Sequence, residues 1–331
     1  MSTAVVAGKA SGKAPGTAAS ASYQRIVLLI AIWAALATAP FWLPLLGGYT
    51  ALAGRVLVFG LAAMGLNMLL GFTGVLSFGH AAYFGLGAYG AGLTLRYLVH
   101  STPLAMLAGT LFGLLIVRRR GVYFAMCTIA FGQLWYYLAY SWNSFTGGFD
   151  GLRDFHREPI GWGALSLDIE SNDTTFYFFL LAIFAAAVAL MGFLLRSPFG
   201  RTLLAIRENE RRARFLGVPV EQHIWLSFSI SCFFTALAGT LYALLNNFAD
   251  PLALHYSLSG YFVVMTVIGG MRTFWGPLLG AAVFVVLQDY ISSMTVNWMS
   301  FIGTIFILVV LFFPRGLLGM RRAARNANAA K

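Results

Sequence analysis

Residues 56–95 read VLVFGLAAMGLNMLLGFTGVLSFGHAAYFGLGAYGAGLTL, without one Asp, Glu, Lys or Arg. A helix needs roughly 20 apolar residues to cross a bilayer, so the run is long enough for two crossings. Similar charge-free stretches occupy 26–54, 97–117, 121–149, 174–195, 222–249, 251–271 and 290–314. Of the 331 residues, 59% are hydrophobic and 10% charged, against about a quarter charged in soluble domains. One soluble core could not hide that much apolar surface. In lipid each span must satisfy its own backbone as a helix, and the stretches lack the sustained alternation of a β-barrel. The expected fold class is an all-α polytopic membrane protein with glycine-broken segments.

Ten crossings are expected, at 26–46, 50–70, 76–98, 102–117, 121–142, 174–195, 222–246, 257–270, 276–292 and 298–314. The pair 257–270 and 276–292 also reads as a re-entrant pair. With cytoplasmic termini, 18 of the 22 basic residues fall inside and eight of the eleven acids outside, as the positive-inside rule requires. The net charge of +11 then reflects cytoplasmic loops beside an anionic leaflet and does not indicate nucleic acid. Arg55 and Arg96, near outer helix ends, read as snorkelling cations. Cys127 and Cys232 lie inside spans as small packing residues. Domain organisation follows: a disordered tail over 1–22, a transmembrane domain over 23–318 with an outer loop at 143–173 and an inner loop at 196–221, and a basic tail over 319–331.

Two glycine clusters break the apolar pattern, Gly71-Phe72-Thr73-Gly74 and Gly269-Gly270 through Gly276-Pro277. Broken helices in transporters present backbone groups to a substrate cavity. Around the first break stand Asn67, Thr73, Ser77 and His80, polar groups within the membrane and hence site candidates. Ser77 and His80 also spell a further alternative, an intramembrane hydrolase, although such an enzyme normally draws its Ser and His from different helices. The commoner setting of a buried histidine is a hydrogen-bonded one. Lysine occurs only at 9, 13 and 331, so the phosphate-loop lysine motif is missing. No metal-ligand spacing is present, and Asp289 is the one acid well inside a span.

The inner loop concentrates six arginines and three glutamates over 196–221. Pro198 and Gly200 break the preceding span, a short helix suits Ala205 to Arg214, and Gly217 supplies a stop. Leu204, Phe215 and Leu216 offer an apolar edge. Docking to another protein and a solvated connecting helix are both open on these residues alone.

The stretch Gly65 to Tyr89 resembles the signature of the LivM-type permeases of branched-chain amino acid ABC importers. Gly121 to Ala125, Thr146 to Leu152, the inner loop and Phe313 to Leu317 resemble further blocks, and the similarity covers roughly residues 50–320. The resemblance implies a non-enzymatic permease subunit of the bacterial inner membrane. It implies as partners a homologous second permease, two cytoplasmic ATPases that bind ATP and Mg, and a periplasmic binding protein, with membrane lipid around the chain and no cofactor within it. It gives Arg201 to Gly217 the role of ATPase-coupling segment, with Arg201, Arg207, Glu208, Asn209, Glu210, Arg211 and Gly217 as its candidates. Glu210 to Gly217 is one residue longer than the Glu-Ala-Ala pattern of other importers. A substrate route at the permease interface would be lined by Asn67, Thr73, Ser77 and His80, and by Thr146, Gly147, Gly148, Phe149 and Asp150 in the outer turn. Phe149 replaces the small polar residue common in the family, and urea, short amides or aromatic acids are alternative cargoes.

Overall fold

The computed structural model describes residues 16–44, 47–98, 101–114, 124–153, 155–157, 172–312 and 316–318. Its helices are α1 (Gly16–Trp42), α2 (Thr50–Asn67), α3 (His80–Leu93), α4 (Thr102–Leu114), α5 (Phe124–Ser141), α6 (Asn143–Thr146), α7 (Asp173–Arg196), α8 (Pro198–Glu208), α9 (Glu210–Phe215), α10 (Val220–Asn246), α11 (Tyr256–Gly269), α12 (Gly276–Met294) and α13 (Trp298–Phe312). A helix stands in each of the ten expected segments. Among the described residues four helical stretches, Thr50–Thr73, Asp173–Arg196, Val220–Asn246 and Gly276–Met294, are long and apolar enough to cross a membrane alone. The chain is a multi-pass helical membrane protein.

The first helix starts at Gly16, inside the segment expected as a tail over 1–22. Residues 17–22 are Ala, Ser and Thr, and alanine has the best intrinsic helix propensity. Residues 1–15, the Arg118-Arg119-Arg120 turn, Gly121 to Tyr123, most of the outer loop and the tail 319–331 lie outside the described residues.

The bundle has an inner and an outer ring. The apolar windows of α2 and α10 are 78% and 72% buried, whereas those of α7 and α12 are each 33% buried. A helix that is apolar all round belongs inside, and Leu57, Val58, Leu61, Ala62 and Leu66 of α2 are fully buried. The outer helices expose Phe193, Val286, Ile307 and Leu311, side chains suited to lipid tails. The inner crossing of α3 and α10 is close on both sides. A methyl added to Gly87 would overlap the Ala236 backbone, and one added to Gly239 would overlap that of Phe84. Small residues at such crossings let backbones approach without lipid between them. Thr240 Oγ1 donates to the Gly87 carbonyl at 3.1 Å across the same contact.

On the rim, α1 is held to α7 by Tyr177 Oη donating to Leu36 O at 2.7 Å. The helices α11 and α12 form an antiparallel pair. Gly269 faces Gly276 and Gly280 faces Met265, while Tyr261 and Phe284 pack at 5.3 Å.

Candidate functional site

The two glycine breaks meet. After Asn67, α2 continues as a wider π turn over Met68–Thr73 and stops at Gly74, whose φ of 84° favours glycine. The second break turns at Gly270, and Pro277 opens α12 in its first turn, where a missing N–H costs nothing. Asn67 Nδ2 donates to Thr273 O at 3.0 Å. Gly71 sits so close to Met271 O and the Asn67 amide that a side chain there would overlap both. Thr73 Oγ1 is 2.7 Å from Ser227 Oγ on α10.

The inner loop closes over this junction as two helices rather than one. Pro198 starts α8 instead of merely ending the span before it. The break falls at Asn209, whose Oδ1 accepts from Arg212 N at 2.9 Å and caps α9. Ile206, Ala213 and Val220 form a small separate core with Val218 and Ile224, so the loop has its own packing. Arg214 pairs with Glu210 at 2.8 Å. Arg201, Glu208, Asn209, Glu210, Arg211 and Gly217 are exposed. Phe215 and Leu216 are 90% and 77% exposed, an apolar tip beside that charge. Arg207 alone of the expected set turns inward, where its guanidinium donates to the Gly71 carbonyl. Burial, then the nearby Arg272 charge, lowers its pKa.

Deeper in the bundle, Ser231 Oγ donates to Gly65 O at 2.6 Å. That spends its one proton, so His80 Nε2, at 2.8 Å, is the donor to Ser231. The other ring nitrogen then accepts from Ser77 Oγ at 3.2 Å, and Ser77 Oγ accepts from Gly79 N at 3.3 Å. The histidine thus joins α2, α3 and α10 as a neutral ring with both nitrogens used. Ser77 and His80 are each 0% exposed, so no substrate reaches the hydroxyl. The hydrolase reading has a Ser–His contact but no access. Asn67 and Thr73 are 2% and 4% exposed. Asn67, Thr73, Ser77 and His80 are each hydrogen-bonded within the bundle.

The outer turn differs. Thr146 is buried, donating to Ala139 O at 2.6 Å. Gly147 and Gly148 follow with positive φ, and Leu152 pairs with Ala249 in an antiparallel bridge. Phe149 is 73% exposed and meets Tyr140 edge-on at 5.7 Å. Phe149, Asp150, Arg153 and Asp250 line a cavity of about 260 Å³ with Tyr136 and Tyr140.

A second cavity of about 450 Å³ adjoins it, since Asp250 and Leu252 line both. Sequence reading missed it. Its walls carry Arg55, Asp289 and His255 among aromatic side chains. Arg55 does not simply snorkel: it donates to Tyr49 Oη at 3.5 Å, and Tyr49 donates to Asp289 Oδ1 at 2.9 Å. Burial, then that bond, raises the Tyr49 pKa, and burial lowers that of His255. The available signal was two lone opposite charges, each near the outer end of a span. Of the two cysteines, Cys232 is buried and Cys127 exposed, and both are free.

A bundle of crossing helices with interrupted spans and a separate two-helix element is the frame of a multi-pass membrane protein. The family of branched-chain amino acid transport system permease components matches residues 48–311, and the chain belongs to it. The LivM permease of the high-affinity branched-chain amino acid system of Escherichia coli K12 is 28% identical over 301 residues, covering 83% of this chain and 71% of its own. The LivH permease of Salmonella typhimurium is 29% identical over 147 residues, 42% and 46% of the two chains. The autoinducer 2 import permease LsrC of Photorhabdus laumondii is 28% identical over 162 residues, 47% and 43%. No solved structure matches the chain.

Proposed function

We propose that this chain is one of two homologous permease subunits of an ATP-driven importer that carries branched-chain or related amino acids across the bacterial inner membrane. Two cytoplasmic ATPases bind ATP and Mg, and a periplasmic protein delivers the solute. The relatives named for branched-chain amino acid systems support the cargo, and matches to both LivM and LivH support a second permease of the same family. The observation that carries the coupling reading is Arg207. It lies on the element with the exposed Phe215–Leu216 tip and reaches the carbonyl of the first glycine break. Displacement of α8 and α9 by a docked ATPase therefore bears directly on the two breaks. The substrate route uses the outer turn Thr146–Asp150, where Phe149 and Asp150 face open space.

The test is reconstitution of all the subunits in proteoliposomes with labelled leucine. Uptake should need ATP, the binding protein and this chain together. This chain purified alone should hydrolyse no ATP above background. Leucine-independent import of urea or an aromatic acid by the same assembly would replace the cargo, and hydrolysis by the isolated chain would sink the subunit assignment.

A further inference from the structure

The larger outer cavity holds a cation and an anion that the coupling path does not use. Arg55 is on α2 and Asp289 on α12, and their link runs through one neutral group. The Tyr49 hydroxyl gives 2.9 Å to Asp289 and takes a bond from Arg55 at 3.5 Å, the limit for such a contact. Asp250 adds a second carboxylate, and Phe59 and Phe284 supply apolar wall. At about 450 Å³ the cavity is within the range of small-ligand pockets.

We propose that this cavity is a binding site for an α-amino acid zwitterion, built within the single subunit from Arg55 and Asp289. The inference rests on the amino-acid reading of the cargo and names the groups that would hold it. The ligand carboxylate meets the Arg55 guanidinium, whose forked donors suit it. The ligand ammonium meets Asp289, and the side chain lies against Phe59 and Phe284. Tyr49 stands on the loop before α2 and is 43% exposed, so its ring can swing outward. A ligand with both charges then replaces the two contacts of the Tyr49 hydroxyl by two charge-assisted bonds, while Arg55 keeps the Tyr242 hydroxyl beside it. A neutral ligand such as urea gains nothing over the tyrosine, and a ligand of one charge satisfies one wall only.

The test is protection from thiol modification in the assembled transporter, in a Cys127→Ser background. Ser292→Cys lines the same cavity and would be labelled by a membrane-impermeant methanethiosulfonate. Leucine should slow labelling at concentrations where 4-methylpentanoate, 3-methylbutylamine and urea do not. Asp289→Asn and Arg55→Gln should each raise the half-protecting concentration about tenfold or more. Asparagine keeps the acceptor for Tyr49, so the loss reports charge rather than misfolding, and recovery of the ATPases with each variant checks assembly. Equal protection by the single-charge analogues overturns the proposal. So does absence of protection in an assembly that imports leucine, which leaves the permease reading intact. Protection in an assembly that does not import leucine upholds the site and removes leucine as cargo. Neither protection nor import removes both.

Discussion

Arg207, on the short helix α8, donates its guanidinium N–H to the main-chain carbonyl of Gly71, 136 residues earlier in the chain. That carbonyl belongs to the π turn, whose wider winding frees backbone groups from the regular ladder. Asn67, one turn before, holds Thr273 of the other break. One arginine therefore touches an irregular backbone that is itself tied to a second one. Burial, then the nearby Arg272 charge, lowers the Arg207 pKa.

Arg207→Ala should uncouple the machine rather than dismantle it. A hydrogen bond to a charged group is worth about 1.5–3 kcal/mol, enough to change how α8 sits and too little to unfold a bundle. The ATPases should still co-purify, while the ratio of ATP hydrolysed to leucine imported rises several-fold. An unchanged ratio would show that the contact transmits nothing.

Gly71→Ala should lower thermal stability in detergent. The added methyl meets backbone at Met271 O as well as the Asn67 side chain, and backbone cannot rotate away. Overpacking of this kind costs about 1–3 kcal/mol. Gly260, on α11, has nothing within 4 Å of the same position, and Gly260→Ala should match or exceed the parent, since alanine favours helix by about 1 kcal/mol. Equal melting of the two variants would remove the case for close approach at Gly71.

The spans were legible because lipid excludes charge, so gaps between charged residues mark crossings directly. The breaks were legible too, since glycine and proline interrupt helices wherever they cluster. That the breaks touch was not. Asn67 and Thr273 are 206 residues apart, and no periodicity links positions on helices that meet only through tertiary packing. His80 was noticed as a polar group, but the path from it to α2 carries no mark in the sequence: its partner Ser231 is one serine among several on α10, and Ser231 passes the contact on to the Gly65 carbonyl, a backbone group. The inner loop was read as one short helix although Asn209, a preferred N-cap residue with low helix propensity, was a signal for a second start there. Arg55 and Asp289 stood out singly, and the tyrosine that joins them lies in a loop.

Ser231→Ala should destabilise without touching any ligand contact. It leaves the His80 Nε2 donor buried without a partner, while the Gly65 carbonyl keeps the Met68 N–H, and an unsatisfied buried group costs about 1–3 kcal/mol. The variant should melt several degrees lower in detergent. A fluorophosphonate probe for activated serines should leave Ser77 unmodified in the intact protein, given its zero exposure. Labelling at Ser77 would reopen the hydrolase reading.

The docking surface makes the last prediction. Phe215 and Leu216 are the most exposed apolar pair on the inner loop, and neither belongs to the loop's own core of Ile206, Ala213 and Val220. Phe215→Ser should therefore leave the chain folded and inserted while ATPase recovery in pull-downs falls, because buried aromatic anchors dominate interface energy. Glu210→Lys acts at the rim. It replaces the 2.8 Å pair with Arg214 by repulsion, but exposed pairs are worth at most about 1 kcal/mol, so any larger loss must come from a partner's cation. Ala213→Pro is the severe case: Ala213 N donates to Asn209 O at 3.1 Å, and proline removes that donor and clashes with the previous turn, for about 3 kcal/mol. Uptake should vanish with Ala213→Pro and Phe215→Ser. The size of the Glu210→Lys defect measures how much of the docking is electrostatic: recovery restored by high salt would assign it to charge. Full uptake and full ATPase recovery with Phe215→Ser would move the coupling contact away from this tip.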